Sequence, residues 1–171
     1  MSPIAVLVGA PGAGKSTVGR RIAGKLGVDF ADSDALVEVR AGKPVADIFV
    51  SDGEAAFRDL ERTEIAEALV NFDGVLSLGG GAVLDDSIRA ALLDQRVIWL
   101  QVDLTNATQR VGMNSARPLL LGNVRGTMLA MLDARTPLYE EVADHRIDTS
   151  GRSIKEVVAE AVAIVEEADE R

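Results

Sequence analysis

Gly9-Ala-Pro-Gly-Ala-Gly-Lys-Ser16 fits the phosphate-binding pattern G-x-x-x-x-G-K-S/T and is the most informative segment of this chain. The apolar run at residues 4–8 before it predicts a buried strand, and residues 15–26 after it are typical of a helix. Glycines at positions 9, 12 and 14 let main-chain N–H groups approach an anion. A strand, a glycine loop and a helix in this order predict a P-loop over residues 9–17 rather than a simple glycine-rich turn.

The P-loop residues have separate expected roles in holding a nucleotide. Lys15 can reach the β- and γ-phosphates, Ser16 can ligate Mg²⁺, and the N-terminus of the following helix adds its dipole. The sequence therefore predicts a nucleotide site formed by Gly12, Ala13, Gly14, Lys15, Ser16 and Thr17.

Composition narrows the class of protein. The chain has 171 residues, which is enough for one core and one domain. Its formal net charge of −9 disfavours nucleic acid and anionic membrane surfaces as main partners. The absence of cysteine excludes disulfides and thiolate metal sites. Because the N-terminal apolar run is too short for a signal peptide or a membrane span, a cytoplasmic location is expected.

Strand-like runs alternate with helical segments along the chain. This alternation predicts an α/β protein with three layers, α/β/α, around a central five-stranded parallel sheet. The strands are expected at residues 4–8, 28–31, 75–78, 97–102 and 145–147. A helix is expected at residues 125–135, ended by Pro137.

Two segments interrupt the plain alternation. Residues 33–72 contain too much helix for one crossover, and glycine and proline at positions 42–44 and 52–53 divide them. They predict a small helical insert beside the nucleotide site, with residues 33–61 as its substrate-binding part. Residues 112–124 contain Arg117-Pro118 between glycines, which is typical of a lid that closes over bound nucleotide. An ordinary surface loop is the alternative.

Asp32 and Asp34 close the second strand. Carboxylates two residues apart on a straight strand share a face, and the carboxyl ends of parallel strands face the ligand crevice. One aspartate is therefore expected to hold Mg²⁺, directly or through water, and the other to orient an acceptor hydroxyl and take its proton. Capping of the next helix is the alternative, and it suits Asp32 better than Asp34.

A glycine cluster and two arginines are the other candidates for a ligand site. Gly79-Gly-Gly81 follows a central strand and leaves backbone N–H groups open to a ligand, unless it is merely a flexible turn. Arg58 and Arg135 are suited to gripping a carboxylate with two parallel hydrogen bonds. A solvated salt-bridge face for Arg58, and a charge at a helix C-terminus for Arg135, are the alternatives.

Taken together, these motifs resemble shikimate kinase over nearly the whole chain. The P-loop is shared by many nucleotide-binding proteins, whereas the other motifs in this order are far more specific. The motifs are Gly9–Thr17, Asp32-Ser-Asp34, Asp52-Gly-Glu-Ala-Ala-Phe-Arg58 with Glu61, Leu78-Gly-Gly-Gly-Ala82, Arg117-Pro-Leu119 and Arg135-Thr-Pro-Leu-Tyr139. The resemblance implies a fold like that of the nucleoside monophosphate kinases. It also implies that ATP phosphorylates the 3-hydroxyl of shikimate in the route to chorismate and the aromatic amino acids.

The resemblance also implies roles for residues of the acceptor site. Asp34 would hold the acceptor hydroxyls, Arg58 and Arg135 the shikimate carboxylate, and Glu61 would orient Arg58. Gly80, between Gly79 and Gly81, would donate a backbone N–H. An apolar wall against the ring would come from Phe49 and Phe57.

For the reaction itself, the resemblance implies Lys15, Asp34 and Arg117 as catalytic residues, with Arg117 reaching the transferring phosphoryl group from the lid. Mg²⁺ would be held by Ser16 directly and by Asp32 through water. Arg110 and Arg152 would flank the adenine.

Three other functions stay open at this point. Another small-metabolite kinase, for example one acting on gluconate, would share the P-loop without needing the paired aspartates and arginines. A nucleoside monophosphate kinase would need a base-recognition pocket, which no motif indicates. A nucleotide-dependent switch would need a partner surface. The expected partners are the small molecules ATP and shikimate, and the chain is expected to be a monomer.

Overall fold

Five parallel strands form one sheet at the centre of the protein. In this computed structural model, which describes residues 2–112 and 123–170, the strands are β1 Ala5–Val8, β2 Asp29–Asp32, β3 Gly74–Ser77, β4 Val97–Gln101 and β5 His145–Asp148. Their order across the sheet is β2-β3-β1-β4-β5. β1 is central, with Val6 level with Leu76 of β3 and Val97 of β4. The predicted five-stranded parallel sheet is confirmed.

Helices flank this sheet. They are α1 Lys15–Leu26, α2 Ser33–Ala41, α3 Val45–Ser51, α4 Glu54–Asn71, α5 Asp86–Leu92, α6 Leu104–Gly112, α7 Val124–Val142 and α8 Ile154–Asp169, with a 3₁₀ turn at Ala82–Leu84. α1 packs against α8, and α7 packs against α6. None of the helices within the described ranges is both long enough and apolar enough to cross a membrane.

The central strands are buried on both faces. Every residue of β1 and β3 is buried, as is all of β4 except its last residue, Gln101. Continuous apolar runs are the pattern expected of parallel strands covered by helices on both sides. This rigid sheet places the carboxyl ends of β1, β2 and β3 along one edge, from which the P-loop, α2 and the triple glycine begin.

Helix α7 corrects one prediction. Pro137 does not end the helix, which continues to Val142. A proline inside a helix removes one backbone hydrogen bond and crowds the preceding turn. Here the residues beyond it, Tyr139 and Val142, are buried in the main core. Their burial outweighs the local cost, and Arg135 consequently lies inside the helix and not at its C-terminus.

The helices α2, α3 and α4 occupy most of residues 33–72, with breaks at the predicted positions. α2 ends at Gly42, whose φ of 71° is left-handed, and α3 begins after Pro44. Val37, Ile48 and Phe57, one from each helix, form a second apolar cluster apart from the main core. We call this cluster the insert core. α4 joins the two cores, because its later residues, including Ile65, pack in the main one.

The segment predicted to be a lid lies mostly outside the described residues. α6 ends at Gly112 and α7 begins at Val124 with Asn123 as its cap. Arg117 falls between these helices and also lies outside the described residues.

Candidate active site

The P-loop connects the buried strand β1 to helix α1. Gly14 precedes the first residue of the helix with φ 88° and ψ 20°, a left-handed conformation that a residue with a side chain rarely adopts. Lys15 folds back over the loop, and its Nζ donates to the carbonyl oxygens of Gly9 at 2.7 Å and Ala10 at 3.1 Å. The side chain is buried, so its charge is held at a fixed point within the loop.

Ser16 and Asp32 are joined directly. The Ser16 hydroxyl donates to Asp32 Oδ2 at 2.6 Å, while Asp32 Oδ1 accepts from the backbone N–H of Asp34 at 2.9 Å. Asp32 therefore both caps α2, as the alternative interpretation proposed, and contacts the P-loop hydroxyl.

Asp34 does not lie on the strand with Asp32. The strand ends at Asp32 and the helix begins at Ser33, so Asp34 occupies the first turn of α2. The prediction of a shared strand face was wrong because the strand gives way to the helix between the two carboxylates. Both side chains nevertheless line one cavity of about 180 Å³ together with Lys15 and Gly79. Both aspartates therefore lie near the P-loop as predicted, Asp32 from the end of β2 and Asp34 from the first turn of α2.

The triple glycine lets four side chains approach its backbone, one of them Pro11, whose Cδ would lie 2.8 Å from a Cβ on Gly80. A Cβ on Gly79 would lie 2.7 Å from Asp34 Oδ1 and 3.1 Å from Glu61 Oε2. A Cβ on Gly81 would lie 2.6 Å from Arg58 Nη1. The Gly79 N–H donates to the buried Ser33 hydroxyl at 2.8 Å, which ties the turn to the start of α2. The glycines are therefore required by close packing and do not form a merely flexible turn.

Arg58 and Glu61 form a largely buried ion pair. Arg58 Nη1 donates to Glu61 Oε1 at 2.9 Å, and the contact with Glu54 is longer, at 3.4 Å. The side chain of Glu61 is only 2% exposed, against 53% for Glu54, so a solvated salt-bridge face does not describe this site. Glu61 Oε2 is buried and accepts no hydrogen bond from the described residues. Burial raises the pKa of Glu61, and the charge of Arg58 acts in the opposite direction.

Arg135 is a second guanidinium near that of Arg58, and unlike Arg58 it is buried. It is 7% exposed and lies in the middle of α7. Burial lowers the pKa of Arg135, and the charge of Arg58 lowers it further, while Tyr139 and Glu61 act in the opposite direction. Arg58 and Arg135 thus bring two guanidinium groups close to Glu61, and such a pair can hold an anionic ligand by charge-assisted hydrogen bonds.

Tyr139 is a residue that the sequence reasoning missed. Its hydroxyl donates to the carbonyl oxygen of Gly80 at 2.6 Å, and its side chain is buried. The sequence feature that could have indicated its role is its position four residues after Arg135. That spacing places both side chains on one face of a helix if the helix continues through Pro137.

The aromatic residues and the remaining arginines have separate surroundings. Phe49 and Phe57 pack with ring centroids 4.8 Å apart, and the Arg58 guanidinium lies 5.2 Å from the centre of the Phe57 ring.

Arg110 donates to the Gly12 carbonyl oxygen at 2.9 Å, which places it on the P-loop. Arg152 instead donates to Glu160 of α8 at 2.6 Å.

The chain is similar to known proteins over most of its length. A family model described as "Shikimate kinase" matches residues 11–166, which is most of the chain. The chain belongs to the shikimate kinase family. Members of this family are similar to the chain over most of their own length. "Shikimate kinase" from Thermobifida fusca (strain YX) is 53% identical over 94% of this chain and 93% of its own. "Shikimate kinase" from Saccharopolyspora erythraea is 55% identical over 88% and 87%.

Solved structures agree with this assignment. Shikimate kinase from Acinetobacter baumannii in complex with shikimate has a TM-score of 0.92 and 32% identity, covering 98% of this chain and 94% of that chain. A gluconokinase from Sinorhizobium meliloti 1021 has a TM-score of 0.62 and 22% identity, covering 97% and 93%, which is a likeness of fold alone. The resemblance and the fold predicted from the sequence are confirmed.

Proposed function

We propose that this protein transfers the γ-phosphoryl group of ATP to the 3-hydroxyl of shikimate, giving shikimate 3-phosphate in the route to chorismate and the aromatic amino acids. One observation carries the proposal. Asp34 and the two guanidinium groups of Arg58 and Arg135 converge on the triple-glycine turn, beside a complete P-loop. Membership of the shikimate kinase family supports the same reaction.

The acid would be held by its carboxylate between Arg58 and Arg135. Glu61 fixes the Arg58 guanidinium from behind, so that its remaining N–H groups can bind an anion. Phe57, with Phe49 against it, would offer an apolar wall to the ring. The backbone N–H of Gly80 would donate to the acid from the other side, beside that of Gly81, while Gly79 would line the site with its N–H bonded to Ser33.

The hydroxyl would be oriented by Asp34, which lines the cavity together with Lys15. Phosphoryl transfer depends mainly on positioning and on stabilising charge, so the aspartate needs only to orient the hydroxyl and accept its departing proton. Lys15 would stabilise the charge on the transferring group from the P-loop side. In this proposal Arg117 of the lid, residues 112–124, would act from the other side.

The residues present fit Mg²⁺ bound together with the nucleotide. A hydroxyl and one carboxylate, Ser16 and Asp32, lie in contact at the P-loop. Mg²⁺ usually keeps several waters and takes phosphate oxygens, so two protein groups suffice, Ser16 directly and Asp32 through water. The bound ion would neutralise charge on the phosphates.

The nucleotide would occupy the P-loop residues, namely Gly12, Ala13, Gly14, Lys15, Ser16 and Thr17. Arg110, which contacts the Gly12 carbonyl, and Arg152 would flank the adenine, although Arg152 would first have to leave Glu160. One kinase domain over residues 1–171, a substrate-binding insert at residues 33–61, a monomeric state and a cytoplasmic location remain predictions.

One assay separates the candidate functions. ADP release from Mg·ATP is measured with shikimate, gluconate, AMP or no acceptor, side by side. Of the three acceptors, we expect only shikimate to raise ADP release above the acceptor-free rate. Turnover with gluconate or AMP and not with shikimate would refute the proposal. Nucleotide binding without any acceptor-dependent turnover would instead favour a switch.

A further inference from the structure

Tyr139 connects two parts of the acceptor site that are far apart in sequence. Its buried ring stacks on Trp99 with centroids 5.8 Å apart, and its hydroxyl donates to the Gly80 carbonyl oxygen at 2.6 Å. The same side chain interacts with Arg135, one helical turn earlier. The hydroxyl thus lies between a cationic anchor and the glycine turn.

The course of α7 makes this connection possible. The helix accepts Pro137 in its interior, although a proline there removes one backbone hydrogen bond and crowds the preceding turn. Had the helix ended at that point, Tyr139 would no longer stand one turn after Arg135. The continuation through Pro137 is therefore what brings the hydroxyl and the guanidinium to the same face.

The Gly80 carbonyl belongs to the peptide group that also carries the N–H of Gly81. The peptide is trans, so this N–H points away from the carbonyl and hence away from Tyr139. Neither Gly80 nor Gly81 donates its N–H to an acceptor within residues 2–112 and 123–170, whereas Gly79 donates to Ser33. A hydrogen bond to the carbonyl fixes the plane in which the Gly81 donor lies.

We propose that Tyr139 is a positioning residue of the acceptor site, whose hydroxyl holds the Gly80–Gly81 peptide so that its N–H meets an oxygen of the acceptor acid. The inference rests on the proposed function, because it requires an acid held by Arg58 and Arg135. Tyr139 does not touch the acid itself. It acts through the peptide on one side and through Arg135 on the other.

The first test is Tyr139→Phe, which keeps the ring and removes only the hydroxyl. A net contribution typical of one neutral hydrogen bond corresponds to about a 3- to 10-fold loss, so kcat/KM for shikimate is expected to fall by that factor. The Kd for ATP should stay within twofold, because the P-loop makes no contact with this hydroxyl among the described hydrogen bonds.

Trp99→Phe is the matched control. It alters the ring packed on Tyr139 and keeps the hydroxyl. We expect a lower melting temperature for Trp99→Phe and kcat/KM for shikimate within twofold of wild type. If Tyr139→Phe lowers the melting temperature to the same extent and leaves kcat/KM for shikimate unchanged, the tyrosine is only structural and the inference fails.

A second measurement does not depend on the folding of a variant. Tyr139 is the only tyrosine of the chain, so growth on 3-fluorotyrosine labels this position alone. The ¹⁹F chemical shift is expected to change when shikimate is added without nucleotide, and the change should reach a plateau as the shikimate concentration rises. Gluconate should leave the chemical shift unchanged. A resonance that shikimate does not move, in a protein that phosphorylates shikimate, would overturn the positioning role.

The two proposals fail in distinguishable ways. Wild-type protein that does not phosphorylate shikimate would refute the proposed function, and the inference about Tyr139 with it. Active wild-type protein whose Tyr139→Phe variant has unchanged kcat/KM, with a static ¹⁹F resonance, would refute only the role of Tyr139.

Discussion

Replacing Gly81 with alanine would place a methyl group where the Arg58 guanidinium now lies. The new Cβ would be 2.6 Å from Nη1 and 2.7 Å from Cζ of Arg58, far inside van der Waals contact. The backbone itself tolerates alanine, because Gly81 has φ −93° and ψ −1°, which other residues adopt readily. The guanidinium must therefore move, and its 2.9 Å hydrogen bond to Glu61 is lost or stretched.

The cost should appear in acid binding and in the free energy of unfolding, because buried Glu61 would lose its bond to Arg58, but not in nucleotide binding. The displaced guanidinium would no longer meet the carboxylate of the acid. A hydrogen bond between charged groups contributes about 1.5–3 kcal/mol, so KM for shikimate should rise about 10- to 150-fold. The Kd for ATP should stay within twofold of wild type, since the P-loop lies outside the disturbed contact. The assay is coupled ADP release at varied shikimate and saturating Mg·ATP, with nucleotide binding measured separately.

Gly24→Ala is the matched control for this substitution. Gly24 lies in α1, and a Cβ there would meet no atom within 4 Å. Removing a helical glycine at an open position should stabilise the protein by about 0.5–1 kcal/mol. Its kinetic constants should equal those of wild type. A KM for shikimate in Gly81→Ala that matches the value in Gly24→Ala would refute the claim that Arg58 must lie against Gly81 to bind the acid.

Three further substitutions test the nucleotide side, the hydroxyl and a helix cap. Lys15→Met should lower kcat at least about 100-fold, because a fixed charge at the phosphates is lost; activity within threefold of wild type would contradict this. Asp34→Asn should lower kcat by about 10²- to 10⁴-fold with ATP affinity unchanged; a fall in nucleotide affinity instead would assign Asp34 to the metal. Burial favours a raised pKa for Asp85, but hydrogen bonds from Ser87 and Arg62 lower it from 3.8 to about 2. Asp85→Ala should therefore reduce the free energy of unfolding by about 1 kcal/mol at neutral pH. That difference is complete above pH 3.8 and disappears as the pH falls through about 2, which denaturation curves at several pH values would measure.

The sequence predicted the sheet well because each central strand is a continuous apolar run. Residues 4–8 and 97–102 could hardly be anything other than buried strands beside a glycine loop, and the structure has strands at Ala5–Val8 and Val97–Gln101. The P-loop could also be predicted from the sequence, because the glycine spacing and the lysine position that define it are local properties. The Arg58–Glu61 pair was also foreseen, since residues three apart on a helix are neighbours.

Other features depended on tertiary packing. The predicted end of α7 at Pro137 followed the local rule, and burial of Tyr139 and Val142 overrode it. The relative placement of Asp32 and Asp34 depended on where a strand gives way to a helix, a boundary that sequence locates only to within a few residues. The bond from Tyr139 to Gly80 joins residues 59 positions apart, and no local pattern encodes it.

The insert core has a consequence for how the protein moves. It has three buried residues, Val37, Ile48 and Phe57, whereas the main core contains most of the central strands β1, β3 and β4. Regions with few buried apolar contacts open at lower free energy than the rest of a protein. Amide protons of α3 should therefore exchange with solvent deuterium long before those of β1. Shortening Ile48 to valine should speed that exchange in α3 and leave the nucleotide half of the molecule as protected as before.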